Sequence, residues 1–306
     1  MSTVESVARR TTLHPGEVDA SPPPGRDEES GRRISSQVLI GVSLLVTWLL
    51  VYLFGLSGLE QGQSQSALYD RLRTELAEGT APTGAPIEPG SPVALLSAPA
   101  AGIEDLVVVE GSRPSQLQDG AGHVLGSVLP GQQGVSMVAG RSLSFGAPFA
   151  RIAELPLGAP LTVTTGQGVF SYEVVGARTD GDPTLPAPAA GAARLTLVTA
   201  SRGGGLGGLQ PKETVYVDAA LAEGAVAPGP VSTKDTAVEL MSTRTDTTTL
   251  ALLALSLQVL VIALVGFAWS WTSWSRAATW IAGAPCVLAA LWLATSVASR
   301  LLPALI

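Results

Sequence analysis

Three uninterrupted apolar runs divide the chain. Residues 34–54 contain no charged side chain, and the charge-free stretch reaches from Arg33 to Glu60. Residues 250–268 and 278–297 are equally free of charge. A bilayer core of about 30 Å needs about 20 apolar residues in a helix. The pattern therefore predicts transmembrane helices over residues 34–56, 248–269 and 277–298, the last two joined by a short link at 269–277. Behind the first run the chain reads Gly55-Leu56-Ser57-Gly58-Leu59-Glu60, with no A-x-A-like site, so an uncleaved anchor is expected. Arg26, Arg32 and Arg33 precede that anchor and Arg276 lies in the link, which orients the N-terminus to the cytoplasm. Residues of about 60 to 246 then fall outside the membrane, and the third span leaves the C-terminal end outside too. Trp269, Trp271, Trp274 and Trp280 gather around the link, as an interfacial aromatic belt does.

Between the anchor and the hairpin the period changes twice. Leu68, Leu72 and Leu76 recur at four-residue spacing, which predicts a helix over 67–76 that Gly79 stops. Further on, short segments rich in β-branched residues lie at 93–96, 106–109, 136–139, 161–165, 170–175, 195–199 and 214–217, bounded by Gly, Pro, Asp or Ser. Many short strands of this kind predict a sandwich or barrel. Gly166-Gln167-Gly168 marks a hairpin between two of them, and residues 148–155 form one helical interruption. The expected organisation is a disordered cytoplasmic tail (1–33), the first span (34–56), a helix and linker (57–91), one β domain (92–221), a linker (222–247), and the two closing spans (248–269 and 277–298).

Charge and composition narrow the possible chemistry. The net charge of −7, with no basic patch interleaved with aromatics, excludes nucleic acid as a partner. The single cysteine, Cys286, excludes an intrachain disulfide. With two histidines, His14 and His123, and no Cys/His cluster, no zinc site is expected. Asp180-Gly181-Asp182 could ligate calcium only together with further oxygen ligands, which the sequence does not identify. The run Gly203-Gly204-Gly205-Leu206-Gly207-Gly208 lacks the Lys-Ser or Lys-Thr of a phosphate loop. No cofactor is implied. The bias toward Arg, Ala, Gly and Pro suggests a GC-rich, actinobacterial source.

The order of motifs carries a resemblance. Val108-Val109-Glu110-Gly111 is followed by Leu117, by Asp119-Gly120-Ala121-Gly122-His123, and by Gly126-Ser127-Val128-Leu129-Pro130-Gly131-Gln132-Gln133-Gly134. Val138-Ala139-Gly140-Arg141 comes next, then Phe145-Gly146-Ala147-Pro148-Phe149 with Leu155 and Gly158. Leu195-Thr196-Leu197-Val198-Thr199-Ala200 and Thr214-Val215-Tyr216-Val217-Asp218-Ala219-Ala220-Leu221 close the series. This succession resembles the sortases, the cysteine transpeptidases that attach proteins to the bacterial cell wall. The resemblance implies a mostly β fold, a closed sortase-like barrel of about eight strands, beside the three transmembrane helices. It also implies a thiolate nucleophile, a histidine acid and an arginine for the oxyanion or bound signal.

At the matched positions this chain has Ala200, Arg141 and Thr214, with Glu213 as the alternative to Thr214. Alanine offers no nucleophile, threonine no charge, and a guanidinium exchanges no proton near neutrality. His123 belongs to an earlier turn in the resemblance, where a local hydrogen bond is its expected role. The implied protein is not an enzyme: a membrane-anchored, extracytoplasmic sortase-like pseudoenzyme of a Gram-positive cell envelope. It would bind or scaffold a cell-surface peptide or protein, or assemble with an active sortase or another envelope complex. Arg141, Ser142, Thr199, Ser201 and Arg202 are the candidate groove residues, with Arg141 suited to an anionic group. A peptidase or transpeptidase using Ser201, and a purely structural envelope protein, are the alternatives. Leu129-Pro130-Gly131-Gln132-Gln133 lies mid-domain and is no sorting signal.

Overall fold

The computed structural model describes residues 39, 43–201, 213–231, 247–301 and 305. The tail at 1–33, Arg202, the glycine-rich run 203–208 and most of the linker beyond 231 lie outside the described residues. By its internal contacts the chain forms two units, Met1–Thr47 and Trp48–Ile306, and the barrel and its site belong to the second.

Among the described residues, three helices are long and apolar enough to cross a membrane: α1 (Ser43–Glu78), α3 (Thr247–Ser273) and α4 (Arg276–Ser299). Helix α2 is the short turn Gln116–Asp119. The anchor and the helix expected at 67–76 are one continuous element, because nothing between them breaks the backbone ladder. A π-helical turn at Tyr52–Leu56 absorbs the irregularity, and the Ser57 hydroxyl donates back to the Leu53 carbonyl at 2.6 Å. Gly79 ends the helix in the left-handed conformation, φ 70°, its N–H donating to Leu76. The link between α3 and α4 is also shorter than the pattern implied. Trp269 and Trp271 are helical, and Ser275 caps α4 by accepting from the Ala278 N–H at 3.3 Å.

Eight strands close into a barrel: β1 (Pro92–Ala98), β2 (Ile103–Glu110), β3 (Ala121–His123), β4 (Gly134–Ala139), β5 (Pro160–Thr165), β6 (Gly168–Thr179), β7 (Ala193–Ala200) and β8 (Thr214–Leu221). Their order is β1-β2-β3-β4-β7-β8-β6-β5, and β5 pairs back onto β1. The β2–β3 and β4–β7 pairs are parallel, and the others are antiparallel. Gly168 pairs with Thr165, so Gly166-Gln167 forms a two-residue hairpin loop as expected. The segment at 148–155 holds only a 3₁₀ turn at Ile152–Glu154. Strand β3 was hidden in the sequence, since three residues, the middle one a glycine and the first preceded by another, carry no alternation to read.

Side chains alternate across the wall. On β6, Phe170, Tyr172 and Val174 point inward, joining Leu161 and Val163 of β5, Leu195 and Leu197 of β7, and Val215, Val217 and Ala219 of β8. One glycine turn is built tightly onto this core. Gly131 has φ +91°, and its N–H donates to the Tyr172 hydroxyl at 2.7 Å. A Cβ there would stand 2.2 Å from the Phe170 ring. Burial and the loss of solvent hold the Tyr172 phenol up at about 12, so it remains a neutral hydroxyl able to accept that bond. Replacing Gly131 with alanine is therefore expected to cost at least about 1–3 kcal/mol. A thermal-unfolding midpoint for Gly131→Ala within a degree of wild type would contradict this packing.

Candidate functional site

The positions singled out in the sequence lie at one end of three adjoining strands. Thr199 and Ala200 end β7, and Ala200 pairs in register with Thr214, which opens β8. On the other side of β7, the chain leaves β4 through Gly140, whose N–H donates to Val198 at 3.0 Å. The Thr199 hydroxyl donates to the Gly140 carbonyl at 2.9 Å. A Cβ on Gly140 would meet the Phe149 ring at 2.5 Å, so only glycine allows the loop to turn so close to the wall. The alternation of β7 places Leu195 and Leu197 inside the barrel, and Thr196, Val198 and Ala200 on its outer face.

Arg141 follows Gly140 and is 0% exposed. Its Nε donates to the Leu117 carbonyl, one terminal nitrogen to the Pro114 carbonyl and the other to the Ser144 hydroxyl, each at 3.1 Å. The guanidinium carbon also lies 4.9 Å from the centroid of the Phe145 ring. Burial lowers the guanidinium to about 10, which still leaves it charged near neutrality. This cation is spent on holding the chain before and within α2 against the loop after β4. Its side chain is not presented to solvent.

That loop is clamped from outside as well. The Phe145 N–H donates to the Ser57 hydroxyl of α1 at 3.1 Å, and the Phe145 ring meets Tyr52 edge-on at 6.5 Å. Ser142, 3% exposed, donates from its N–H to the Leu305 carbonyl at 3.0 Å and from its hydroxyl at 3.3 Å. Leu305 is itself 0% exposed and packs with Leu117, Val124, Ala139, Val198 and Ala200. Burying one leucine side chain in this way contributes about 1.5–3 kcal/mol. Nearby, the Ser299 hydroxyl at the end of α4 accepts from Gln118 Nε2 at 2.9 Å.

Further along the same outer face the site is polar. Arg178 of β6 donates to Asp218 of β8 at 3.0 Å and lies over the Tyr216 ring at 4.2 Å. The other Asp218 oxygen accepts from the Thr196 hydroxyl at 2.6 Å. Asp180 accepts from the Thr214 N–H at 2.9 Å and from the Tyr216 hydroxyl at 3.2 Å. Burial presses the Asp180 carboxyl upward, but these hydrogen bonds and the Arg178 charge carry it below its ordinary value. Asp182 accepts from the Thr179 N–H and hydroxyl. Both carboxylates of the Asp180-Gly181-Asp182 run are thus bonded to protein donors, and no carboxylate, His or Cys cluster able to hold a metal occurs among the described residues.

His123 is bonded locally, as the sequence suggested, but it lies in a strand rather than a turn and is bonded to Glu110 as well. It sits in β3, buried, with Nδ1 2.8 Å from Glu110 Oε2, and Nε2 2.9 Å from both the Val128 carbonyl and the Ser127 hydroxyl. It pairs in register with Val138, which pairs with Leu197. Ser201 lies four residues beyond Leu197, about 13 Å along the strand. Ser201 itself is partly exposed, its N–H bonded to the Glu213 carbonyl at 2.9 Å. Arg202 lies outside the described residues.

The family model for the sortase domain matches residues 96–219, from within β1 to within β8. Residues 96–219 are thus similar to the sortase domain. Solved structures to which the chain is similar include several sortases. A sortase D5 transpeptidase from Clostridium perfringens is 21% identical, with a TM-score of 0.44 over 53% of this chain and 99% of that chain. Sortase E from Streptomyces avermitilis is 24% identical, with a TM-score of 0.37 over 45% and 91%. Sortase A from Corynebacterium diphtheriae is 19% identical, with a TM-score of 0.39 over 52% and 84%. No curated protein matches the chain.

Around these strand ends, the sequence had pointed to Arg141, Ser142, Thr199, Ala200 and Thr214, and the fold gathers them. It had not pointed to Leu305, which follows an apolar span without any motif. Nor had it pointed to Asp218 and Arg178, although an acid at an alternate position of the last strand was a readable signal. Replacing Arg141 with methionine strands the Leu117 and Pro114 carbonyls, and is expected to cost about 2–4 kcal/mol. Arg151→Ala, which removes an exposed 3.6 Å contact to Glu154, is expected to stay within about 0.5 kcal/mol. Equal melting midpoints for the two variants in detergent would refute the structural role of Arg141.

Proposed function

We propose that this protein is a membrane-anchored, extracytoplasmic sortase-fold protein that holds a cell-surface peptide or protein without transpeptidation. The observation that carries the reading is the environment of Ala200. Its methyl group stands at the strand end, in register with Thr214, packed among Val198, Ala139 and Leu305. Acyl transfer in the sortase manner needs a thiolate at that strand end, a proton donor beside it and a cation for the developing charge. Here the one thiol of the chain, Cys286, lies in the apolar helix α4. The basic side chain next to β4 is Arg141, whose donors are engaged with carbonyls and a hydroxyl and whose charge persists near neutrality. His123 is aligned with Leu197 and bonded to Glu110, and it cannot serve Ser201 from that register.

The purified full-length protein is expected to release no product from sorting-type peptides and to form no acyl-enzyme by mass spectrometry. Turnover by the wild type that Ser201→Ala abolishes would replace this reading with that of a serine peptidase. Restoring chemistry is expected to need more than Ala200→Cys. Arg141→His in the same chain also removes three hydrogen bonds from the loop, so a triple variant with Thr214→Arg should be less stable than wild type.

The same reading places the barrel outside the cell and the N-terminus in the cytoplasm. It rests on Arg26, Arg32, Arg33 and Arg276. The contacts of Ser57 with Phe145 and of Ser299 with Gln118 support it, because they bring the far ends of the first and third spans to the barrel together. In a Cys286→Ser background, an impermeant maleimide added to intact cells should label Ser115→Cys and leave Gly31→Cys unlabelled. Labelling of position 31 alone would invert the orientation.

A further inference from the structure

We propose that the outward face of α3 pairs with α3 of a second copy of this chain, through Gln258 at its centre. The proposal rests on α3 being a membrane span. The two sides of this helix differ. Leu253, Ser256, Leu260, Ala263, Phe267 and Ser270 are buried or half-buried, and every other residue from 250 to 270 is exposed. Spacing by three and four makes a seam, and α4 fills it. The Phe267 ring meets Trp280 edge-on at 5.9 Å, and the Ser270 and Thr279 hydroxyls lie 3.2 Å apart. At about 100° per residue, Gln258 stands on the side opposite Ser256 and Leu260. Around it Ala254, Leu257, Val261 and Ile262 line a shallow groove.

An apolar helix face in lipid needs no partner, and Gln258 is what changes that. It stands within one residue of the middle of the charge-free run 250–268. The headgroups are then about 15 Å away on either side, beyond the reach of its side chain. Its carboxamide has no hydrogen-bond partner among the described residues. Two N–H donors and a carbonyl are left in hydrocarbon, where no water replaces the missing bonds. A second copy supplies them. Every copy inserts in one orientation, so two α3 helices run parallel. A two-fold axis along the membrane normal then brings Gln258 against Gln258 at one depth. Each carboxamide donates to the other's carbonyl, and a single polar position of this kind fixes register and a dimeric state. Ala254, one turn away, lets the two backbones approach closely. A helix of another protein would need its own donor and acceptor at that depth, whereas an identical helix has them by symmetry. On the reading of the barrel as a binding element, the pair presents two barrels from one point, which favours a partner with two attachment sites.

The test uses the full-length chain in a Cys286→Ser background, expressed in one cell as two copies with different tags. Single cysteines are placed beside Gln258, as Ala254→Cys or Val261→Cys. Others go about 100–120° round the helix, as Val259→Cys or Leu264→Cys. Oxidising the membranes is expected to give a disulfide-linked product carrying both tags from positions 254 and 261, and none from 259 and 264. The strength of pairing is read on the purified chain in liposomes, by energy transfer between fluorescently tagged copies as lipid is added. Gln258→Leu is expected to shift the dilution midpoint toward monomer by roughly 3–30-fold. Gln258→Asn, which keeps the carboxamide, should shift it less. Neither variant should move the melting midpoint of the barrel in detergent, because Gln258 is bonded to no part of it.

Equal cross-linking at all four positions overturns the proposal, because it reports collision rather than a face. A product from 254 and 261 that joins one tagged copy to a foreign protein overturns the second copy as the occupant. A chain that stays monomeric at every lipid ratio overturns it as well. A dimer that Gln258→Leu leaves unchanged overturns the part assigned to the carboxamide. The span itself is read apart from the pairing, with an impermeant maleimide on Thr247→Cys and Ser273→Cys at the two ends of α3. These must label from opposite sides of the membrane, and labelling of both from one side removes the ground of the proposal.

Discussion

A guanidinium taken wholly out of water must find its partners inside the protein, and the desolvation it suffers makes each of them obligatory. Arg141 meets this demand with two backbone carbonyls, a hydroxyl and an aromatic face. Those partners come from different parts of the chain: Pro114 and Leu117 around α2, Ser144 and Phe145 in the loop after β4. Fixing them together fixes the loop, and the loop in turn gives α1 its landing place through Phe145. Ser142 lies between these anchored points, so its N–H is held where it can bind the Leu305 carbonyl.

The junction between helices and barrel is polar in an otherwise apolar region. Tyr52 donates to Glu60 at 2.8 Å, Ser296 of α4 reaches the same carboxylate at 3.4 Å, and Trp48 donates to Thr295 at 3.3 Å. Tyr52 also meets Trp292 edge-on at 5.6 Å. Such contacts set the rotation of helices that apolar packing alone leaves free to turn. On the barrel side, Gln65 of α1 accepts from the Val107 N–H at 2.8 Å and donates to the Asp119 carbonyl at 2.6 Å. One amide therefore bridges β2 and the end of α2, and α1 is a strut as well as an anchor.

Much of this architecture was legible because it depends on local period. The apolar runs, the alternation on β5 and β6, and the stop at Gly79 follow from spacing alone. The continuity of α1 was not legible. The stretch Gly55-Leu56-Ser57-Gly58 behind the apolar run reads as a boundary, whereas in the fold Gly58 is helical and packs beside Gly146, where a Cβ would sit 3.6 Å from the Gly146 nitrogen. Strand β3 was masked by its brevity and by its parallel pairing with β2, which supplies no hairpin signal. Within the site, the three strand ends were readable from motif order. The burial of Arg141 was not, since a lone arginine after a strand looks the same in sequence whether it faces solvent or carbonyls. Leu305 was beyond any sequence rule, because its role depends on where α4 delivers it.

That delivery imposes an order on biogenesis. The last barrel strand ends at Leu221, and Leu305 is synthesised 84 residues later (305 minus 221). At ordinary rates of translation this is an interval of roughly 4–17 s. During it the strands are complete while α3 and α4 are still being made and inserted. In that interval the apolar patch beside Ala200 lacks Leu305. The patch is covered only after α4 is complete, so the surroundings of Ala200 are the last part of the barrel to be finished.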